Sequence, residues 1–273
     1  MNETRDLISK RPDVIDLIGP EFDYPSPEAA RRTLIICSAP RTGSYELCRY
    51  LVAAGIGVPH EYFNPNFARR LAARWALAPD PLLEVELPRY IDVLRRRRAQ
   101  GGVFATKLQF SQFNRVLRNR HGAALFDGAC VVHLFRPDVA TQYASLRASL
   151  ESGTWDFSPR QTRSPRVREG GSSEKFFGQA LNDVNWLVSE DAGFRTLFVL
   201  LGIRPTFVTT EELFRDSGGV VRRIAEAMGL SVNDDVLQRA IACSAPYGRD
   251  RERERAVAGL AERFRRRAFQ RGN

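Results

Sequence analysis

The 273-residue chain carries 41 lysines and arginines against 32 aspartates and glutamates, a formal charge of +9 with pI near 9.9. No apolar run approaches the ~18–20 residues of a bilayer span, and 43% hydrophobic with 27% charged residues is the balance of a soluble globular chain. The four cysteines (Cys37, Cys48, Cys130, Cys243) and three histidines (His60, His121, His133) lack metal-ligand or redox spacing, which argues against a zinc site and leaves buried free thiols as the expected state.

In chain order, MNETRDLISKRPDV mixes charges of both signs and has no apolar signal core, so a cytoplasmic protein is expected. Residues 1–30 read as an N-terminal arm, with one domain over 31–273. RTLIIC (Arg32–Cys37) is a short apolar run suited to a buried parallel strand. SAPRTG breaks it, and SYELCRYLVAAG resumes at helical spacing up to a C-capping Gly55. Residues 68–100 read as helices, and the run Arg95–Arg98 as a solvated face. Further strands are expected in Gly101–Phe110, in Ala129–Pro137 and in RPTFVTT (204–210). DVATQYASLRASL (138–150) and the long stretch after residue 173 have helical spacing. Residues 151–173, rich in Ser, Pro, Gly and Arg, read as a long loop. Residues 250–273 read as an exposed helical tail with paired charges. Strands alternating with helices predict an α/β fold with a parallel sheet.

Ligands of such sheets sit beyond the carboxyl ends of the strands. SAPRTGSY occupies that place. The backbone N–H groups of Thr42, Gly43 and Ser44 open a helix N-terminus, which favours an anion. Arg41 adds a charge-assisted donor, and Ser38, Thr42 and Ser44 add hydroxyls. The competing reading is an ordinary capped strand-to-helix turn. A kinase-type phosphate loop needs G-x-x-x-x-G-K-[ST], which is absent. A cysteine-phosphatase loop needs an arginine six positions after its cysteine, and from Cys37 that position is Gly43. The arginine-rich balance suits phosphate or sulfate, although an arginine-biased genome gives the same count. The chain has only three lysines, Lys10, Lys107 and Lys175, so Lys107 at a strand end draws notice.

The loop Ser38–Ser44 with its R-T-G-S core, then Gly57-Val58-Pro59-His60-Glu61-Tyr62-Phe63, then Gly102–Leu108 with Lys107, then His133–Val139 with Arg136 follow one another in order. This succession resembles the sulfotransferases that use 3′-phosphoadenosine 5′-phosphosulfate, and within them the bacterial trehalose 2-sulfotransferase family. The resemblance covers roughly residues 32–150 well and is weaker over 174–250. It implies a P-loop-like sulfotransferase fold, with a central parallel sheet flanked by helices, and the phosphosulfate nucleotide as co-substrate. It also implies a hydroxyl acceptor of the carbohydrate or glycolipid type, no metal, and, by analogy, a homodimer.

Residue by residue, the resemblance places the 5′-phosphate and sulfonate on Arg41–Ser44, with Ser38 at the base of the loop. It places the 3′-phosphate on Arg136 and Ser145, or on Thr141 one turn earlier. Glu61 matches the family's catalytic base, and Lys107 the lysine near the transferring group. Sulfuryl transfer needs an in-line oxygen, a base and positive charge on the leaving phosphate, and Glu61, Lys107 and Arg41 are of those types. Glu61, beside Pro59, Tyr62 and Phe63, is expected to have its pKa raised by burial. Taken alone, Glu61 reads first as a surface loop residue, and only the resemblance reverses this; Lys107 reads about equally as a snorkelling strand-end lysine; Arg136, at a strand end, reads less readily as one half of a salt bridge. Tyr45 departs from the family, which has a small hydroxyl residue there. Its phenol either replaces that phosphate contact or displaces it. Thr210 stands where relatives carry a tyrosine near the adenine, and Arg249 belongs to a segment that could close over the nucleotide. The other reading is a non-catalytic nucleotide- or nucleic-acid-binding protein, a degenerate sulfotransferase using the same loop. No aromatic-basic RNA motif or recognition-helix pattern accompanies the charge, so nucleic acid is not the expected partner.

Overall fold

Apolar runs become the strands of one sheet in the computed structural model, which describes residues 17–152, 173–243, 259 and 262. They are β1 (Arg32–Ser38), β2 (Ala99–Gln100), β3 (Val103–Leu108), β4 (Cys130–Phe135) and β5 (Thr206–Thr209), in the order β2-β3-β1-β4-β5. β3, β1, β4 and β5 are parallel neighbours, whereas the two-residue β2 pairs antiparallel with β3 at the edge. The helices are α1 (Ser44–Ala54), α2 (Pro65–Arg74), α3 (Leu87–Arg97), α4 (Phe110–Arg118), α5 (Arg120–Ala123), α6 (Val139–Ser152), α7 (Ser173–Leu200), α8 (Thr210–Arg215), α9 (Ser217–Ala227) and α10 (Asp234–Cys243).

Both faces of the sheet are covered, which is why its strands are apolar throughout rather than alternating. Leu34 and Ile36 of β1, Val103 and Ala105 of β3, and Val132 and Leu134 of β4 pack with α1, α9 and α10. Their period-two neighbours Ile35, Cys37, Phe104, Leu108 and Val131 pack with α2, α3, α4 and α7. This is the α/β architecture expected, a central, mostly parallel sheet flanked by helices. After β1 the chain crosses to β3 on one side and later returns to β4 on the other. The carboxyl end of β1 is therefore a topological switch point, where a crevice opens between diverging connections.

Two expectations change. The arginine run is not a solvated face. Arg98 is fully buried; its guanidinium pairs with Asp23 at 3.0 Å and donates to Tyr62 Oη at 2.8 Å, to Gly19 O at 3.2 Å and to Leu17 O. Arg95 donates to Ala30 O, and Arg97 stacks on Trp75. A charge count cannot tell which arginine will meet chain carbonyls. Those carbonyls come from the described part of the segment read as an arm. Residues 17–30 lie along the end of α3, where Tyr24, Ser26 and Ala30 N–H donate to Arg97, Arg96 and Arg95 O, and Leu17, Ile18 and Phe22 enter the core. Of the expected loop 151–173, only its ends fall among the described residues, in α6 and α7. The expected tail and Arg249 lie outside them, apart from residues 259 and 262. Of the cysteines, Cys37 and Cys48 are buried free thiols, and Cys130 is free but only half-buried.

Candidate active site

The loop between β1 and α1 turns twice through left-handed backbone. Arg41 has φ 67° and Gly43 φ 80°. At Gly43 a side chain would be both strained and crowded, since a Cβ would lie 2.9 Å from Phe214 Cζ. Arg41 carries a side chain in this conformation, which costs roughly 1–2 kcal/mol. Arg41 Nε donates to Ser145 Oγ at 2.9 Å, which ties the loop to α6. Gln142, one turn earlier on α6, donates to Pro40 O at 2.7 Å. Thr42 Oγ1 bonds Ala39 O at 3.1 Å, closing the turn on itself. The loop is thus tied to α6 at two points and closed on itself at a third, and it leads into the N-terminus of α1, where a helix's first amides lack the i−4 acceptor and Glu46 N–H turns back to Gly43 O at 3.0 Å.

The remaining nucleotide-side expectations are distributed around this loop. Ser38 Oγ is buried at its base with no hydrogen-bond partner among the described residues. Arg136 follows β4, with Nη1 3.5 Å from Arg41 O and Nε 3.9 Å from Glu211. Of the two candidates on α6, Ser145 is the one joined to Arg41. Thr141 instead serves the start of the helix, with both N–H and hydroxyl bonded to Asp138. Thr210 is buried, and its hydroxyl lies 2.8 Å from Thr42 O and 3.2 Å from Phe135 O. Its single proton is shared between two carbonyls, so it acts as a strut joining the loop to the end of β4.

Glu61 stands beside the loop on the segment after α1. That segment is positioned by Gly57, whose φ of 69° lets the chain pass so close to β3 that a Cβ would lie 2.6 Å from Ala105 Cβ. The His60 carbonyl accepts from Lys107 N at 2.9 Å and from Thr106 Oγ1 at 3.2 Å. Tyr90 Oη donates to Tyr62 O at 2.9 Å, and Tyr62 Oη is held between Val58 O and Arg98. The backbone on both sides of Glu61 is therefore fixed to β3 and α3.

The Glu61 carboxylate is 5% exposed as a residue and is fully engaged. Lys107 Nζ lies 2.5 Å from Oε1, Gln109 Nε2 3.3 Å from Oε1, Gln112 Nε2 2.7 Å from Oε2 and Asn64 Nδ2 3.3 Å from Oε2. Burial pushes its pKa up, as expected. The Lys107 ammonium and the amide donors outweigh burial and hold it well below the usual carboxylate range, so the expected upward shift is overturned. The error lay in treating burial without its counterion. Lys107 is not a snorkelling lysine, for its side chain is 5% exposed.

Sequence reasoning missed Asn64, Gln109, Gln112, Gln142 and His60. Gln109 and Gln112 could have been found as the capping pair that opens α4 directly after the Lys107 strand. Tyr45 lies with its hydroxyl 3.3 Å from His60 Nε2 and its ring 5.1 Å from Lys107 Nζ. Burial, with the Arg98, Lys107 and Arg70 charges assisting, drives the His60 pKa down to about 3, so its ring is neutral. Among the described residues no group of three or more His, Cys, Asp or Glu could hold a metal ion, and no helix is long and apolar enough to cross a membrane.

A buried, ionised carboxylate paired with a lysine thus stands beside a loop that bears Arg41 and opens α1. That arrangement can receive a proton on one side and stabilise developing negative charge on the other. A family model described as Stf0 sulphotransferase matches residues 33–245. The trehalose 2-sulfotransferase of Mycolicibacterium smegmatis is 25% identical over 230 residues, covering 71% of this chain and 83% of that protein.

Proposed function

Because the chain belongs to the Stf0 sulphotransferase family, we propose that it transfers a sulfuryl group from 3′-phosphoadenosine 5′-phosphosulfate to a hydroxyl of a carbohydrate or glycolipid-type acceptor. The observation that carries this reading is the buried Glu61–Lys107 pair beside the Arg41–Ser145 loop. The relative's name points to a disaccharide as the first acceptor to try.

The residues divide the work as follows. Arg41, Thr42, Gly43, Ser44 and the α1 amides hold the 5′-phosphosulfate. Arg136 and Ser145 hold the 3′-phosphate. Glu61 accepts the acceptor's hydroxyl proton as that oxygen bonds sulfur. The bond from sulfur to the bridging oxygen breaks, and its electron pair leaves with the 5′-phosphate, where Lys107 and Arg41 offset the charge. An ionised base is ready for this step, but while Lys107 sits on it Glu61 is a weak one. Drawing Lys107 toward the donor's oxygens strengthens the base as charge develops on the leaving group.

The test is calorimetry with 3′-phosphoadenosine 5′-phosphate and with adenosine 5′-phosphate, followed by a labelled-donor screen that begins with trehalose. Arg136→Ala is expected to weaken the bisphosphate far more than the monophosphate. Equal losses would remove the 3′-phosphate assignment. Salt-steep binding to mixed DNA without preference for the bisphosphate would favour a nucleic-acid-binding protein instead.

A further inference from the structure

We propose that Tyr45 is a positioning residue for Lys107: its ring seats the Lys107 ammonium beside Glu61, and the His60 ring anchors the phenol in that place. The consequence for turnover rests on the sulfuryl-transfer reading; the geometry does not.

Tyr45 places a large ring in the first turn of α1, at the loop position where the resemblance implies a small hydroxyl. Its side chain reaches back to the segment that bears Glu61. The hydroxyl bonds His60 Nε2 at 3.3 Å, and the two rings meet edge to face at 5.9 Å and 88°. His60 is itself immobilised. Its ring packs edge-on against Phe67 at 4.4 Å, and its carbonyl takes the backbone N–H of Lys107. The Lys107 side chain then returns over the Tyr45 ring, with Nζ 5.1 Å from the centroid. Three of these contacts close a circuit from the Lys107 main chain to His60, to Tyr45, to the Lys107 ammonium.

Each link has a physical reason. An ammonium is attracted to the electron-rich face of an aromatic ring, most strongly where water is excluded. Lys107 is in that situation, with its side chain 5% exposed. The hydrogen bond to a fixed His60 holds the ring's tilt. A lysine has four flexible side-chain bonds, and a serine at position 45 offers no face to restrain them. Tyr45 thus supplies a seat for the cation.

The test uses the rarity of lysine. Protein labelled with 13C-lysine gives signals from Lys10, Lys107 and Lys175 alone, and Lys107→Arg assigns the relevant set. In the native protein and in Tyr45→Phe, the Lys107 side-chain protons are expected to carry a ring-current displacement. In Tyr45→Leu they should return to ordinary lysine positions. Single-turnover rate at saturating donor should fall about three- to tenfold in Tyr45→Leu and by less in Tyr45→Phe. Unchanged Lys107 signals in folded Tyr45→Leu would overturn the proposal, as would equal rate losses in the two variants. A displaced Lys107 signal in a protein that fails to bind 3′-phosphoadenosine 5′-phosphate would support the seat while removing the donor assignment.

Discussion

Replacing Lys107 by methionine keeps the side chain's bulk and removes its charge. At 2.5 Å and an effective dielectric near 20, the gross attraction between Lys107 and Glu61 is about 7 kcal/mol. Desolvation of two buried ions offsets most of that, so the pair as a whole adds little net stability. Removing one member is a different matter, because the other charge stays buried. Lys107→Met should therefore cost about 3–5 kcal/mol at pH 7, and Glu61→Gln added to it should recover most of the loss. The pH dependence inverts as well. In the native protein the Glu61 pKa lies below its ordinary 4.5, so its contribution is full above that value and lost as pH falls through the window beneath it. In Lys107→Met burial becomes the ruling influence, and the folded pKa rises above the unfolded one. Protonation then favours the fold, and the gap to the native protein should narrow by about 1–2 kcal/mol between pH 7 and pH 5. Urea melts of the native, two single and double variants at both pH values measure this. A Lys107→Met cost below about 1 kcal/mol, or a gap that does not change with pH, would refute the reasoning.

His60 should make the fold acid-sensitive in a separate window. Its folded pKa of about 3 lies below the ordinary 6.5, so the unfolded chain takes up a proton first and stability falls as pH drops from 6.5 toward 3, by about 5 kcal/mol in all. Urea melts of His60→Phe should show a flatter profile over that range, and an unchanged slope counts against the assignment. Gly43→Ala should cost about 1–2 kcal/mol for the left-handed backbone alone, with weaker binding of 3′-phosphoadenosine 5′-phosphate by calorimetry because Phe214 must move. Arg98→Met removes one of the two arginines on Asp23, which keeps Arg74 Nη2 at 2.8 Å and Trp75 Nε1 at 2.9 Å, and takes the Arg98 donor from Leu17 O and Gly19 O. It should destabilise by about 1–3 kcal/mol and open residues 17–23 to limited proteolysis, whereas native-like protection would show that this segment is held by its remaining contacts.

The sheet was legible because strands buried on both faces are apolar at every position, as Arg32–Cys37 is after its first two residues, and because glycines and prolines mark their ends. β2 escaped notice, since two residues carry no periodicity. The site's charged members, Arg41, Glu61, Lys107 and Arg136, stood out through their order along the chain and the resemblance it carries. Its amides did not. Gln109, Gln112 and Asn64 converge on one carboxylate from separate points of the fold, and no spacing rule brings them together. The sign of the Glu61 pKa shift was hidden for the same reason: burial can be guessed from flanking aromatics, but a counterion arriving from β3 cannot. The arginine run was misread because composition distinguishes neither face nor partner, and Arg98 differs from its neighbours only in where the chain end meets it.

The choice of cation at position 107 follows from this electrostatic arrangement. A chain with 41 basic residues uses lysine three times, and one of the three is the partner of Glu61. A guanidinium would satisfy the carboxylate better, with a planar fork that matches both oxygens. It would also hold the carboxylate permanently ionised and engaged. An ammonium makes one short contact to Oε1 and leaves Oε2 to the neutral amides of Gln112 and Asn64. In the proposed reaction it can shift toward a second anion while those amides keep Oε2 hydrogen-bonded. On the proposed function, the amide shell makes a shifting cation more tolerable in a buried site, and an ammonium shifts more readily than a bidentate guanidinium. The Arg41–Ser145 tie and the backbone clamps around Glu61 hold the surrounding parts, so that in the proposed reaction Lys107 is the one charge left to move, from the seat that the Tyr45 ring gives it.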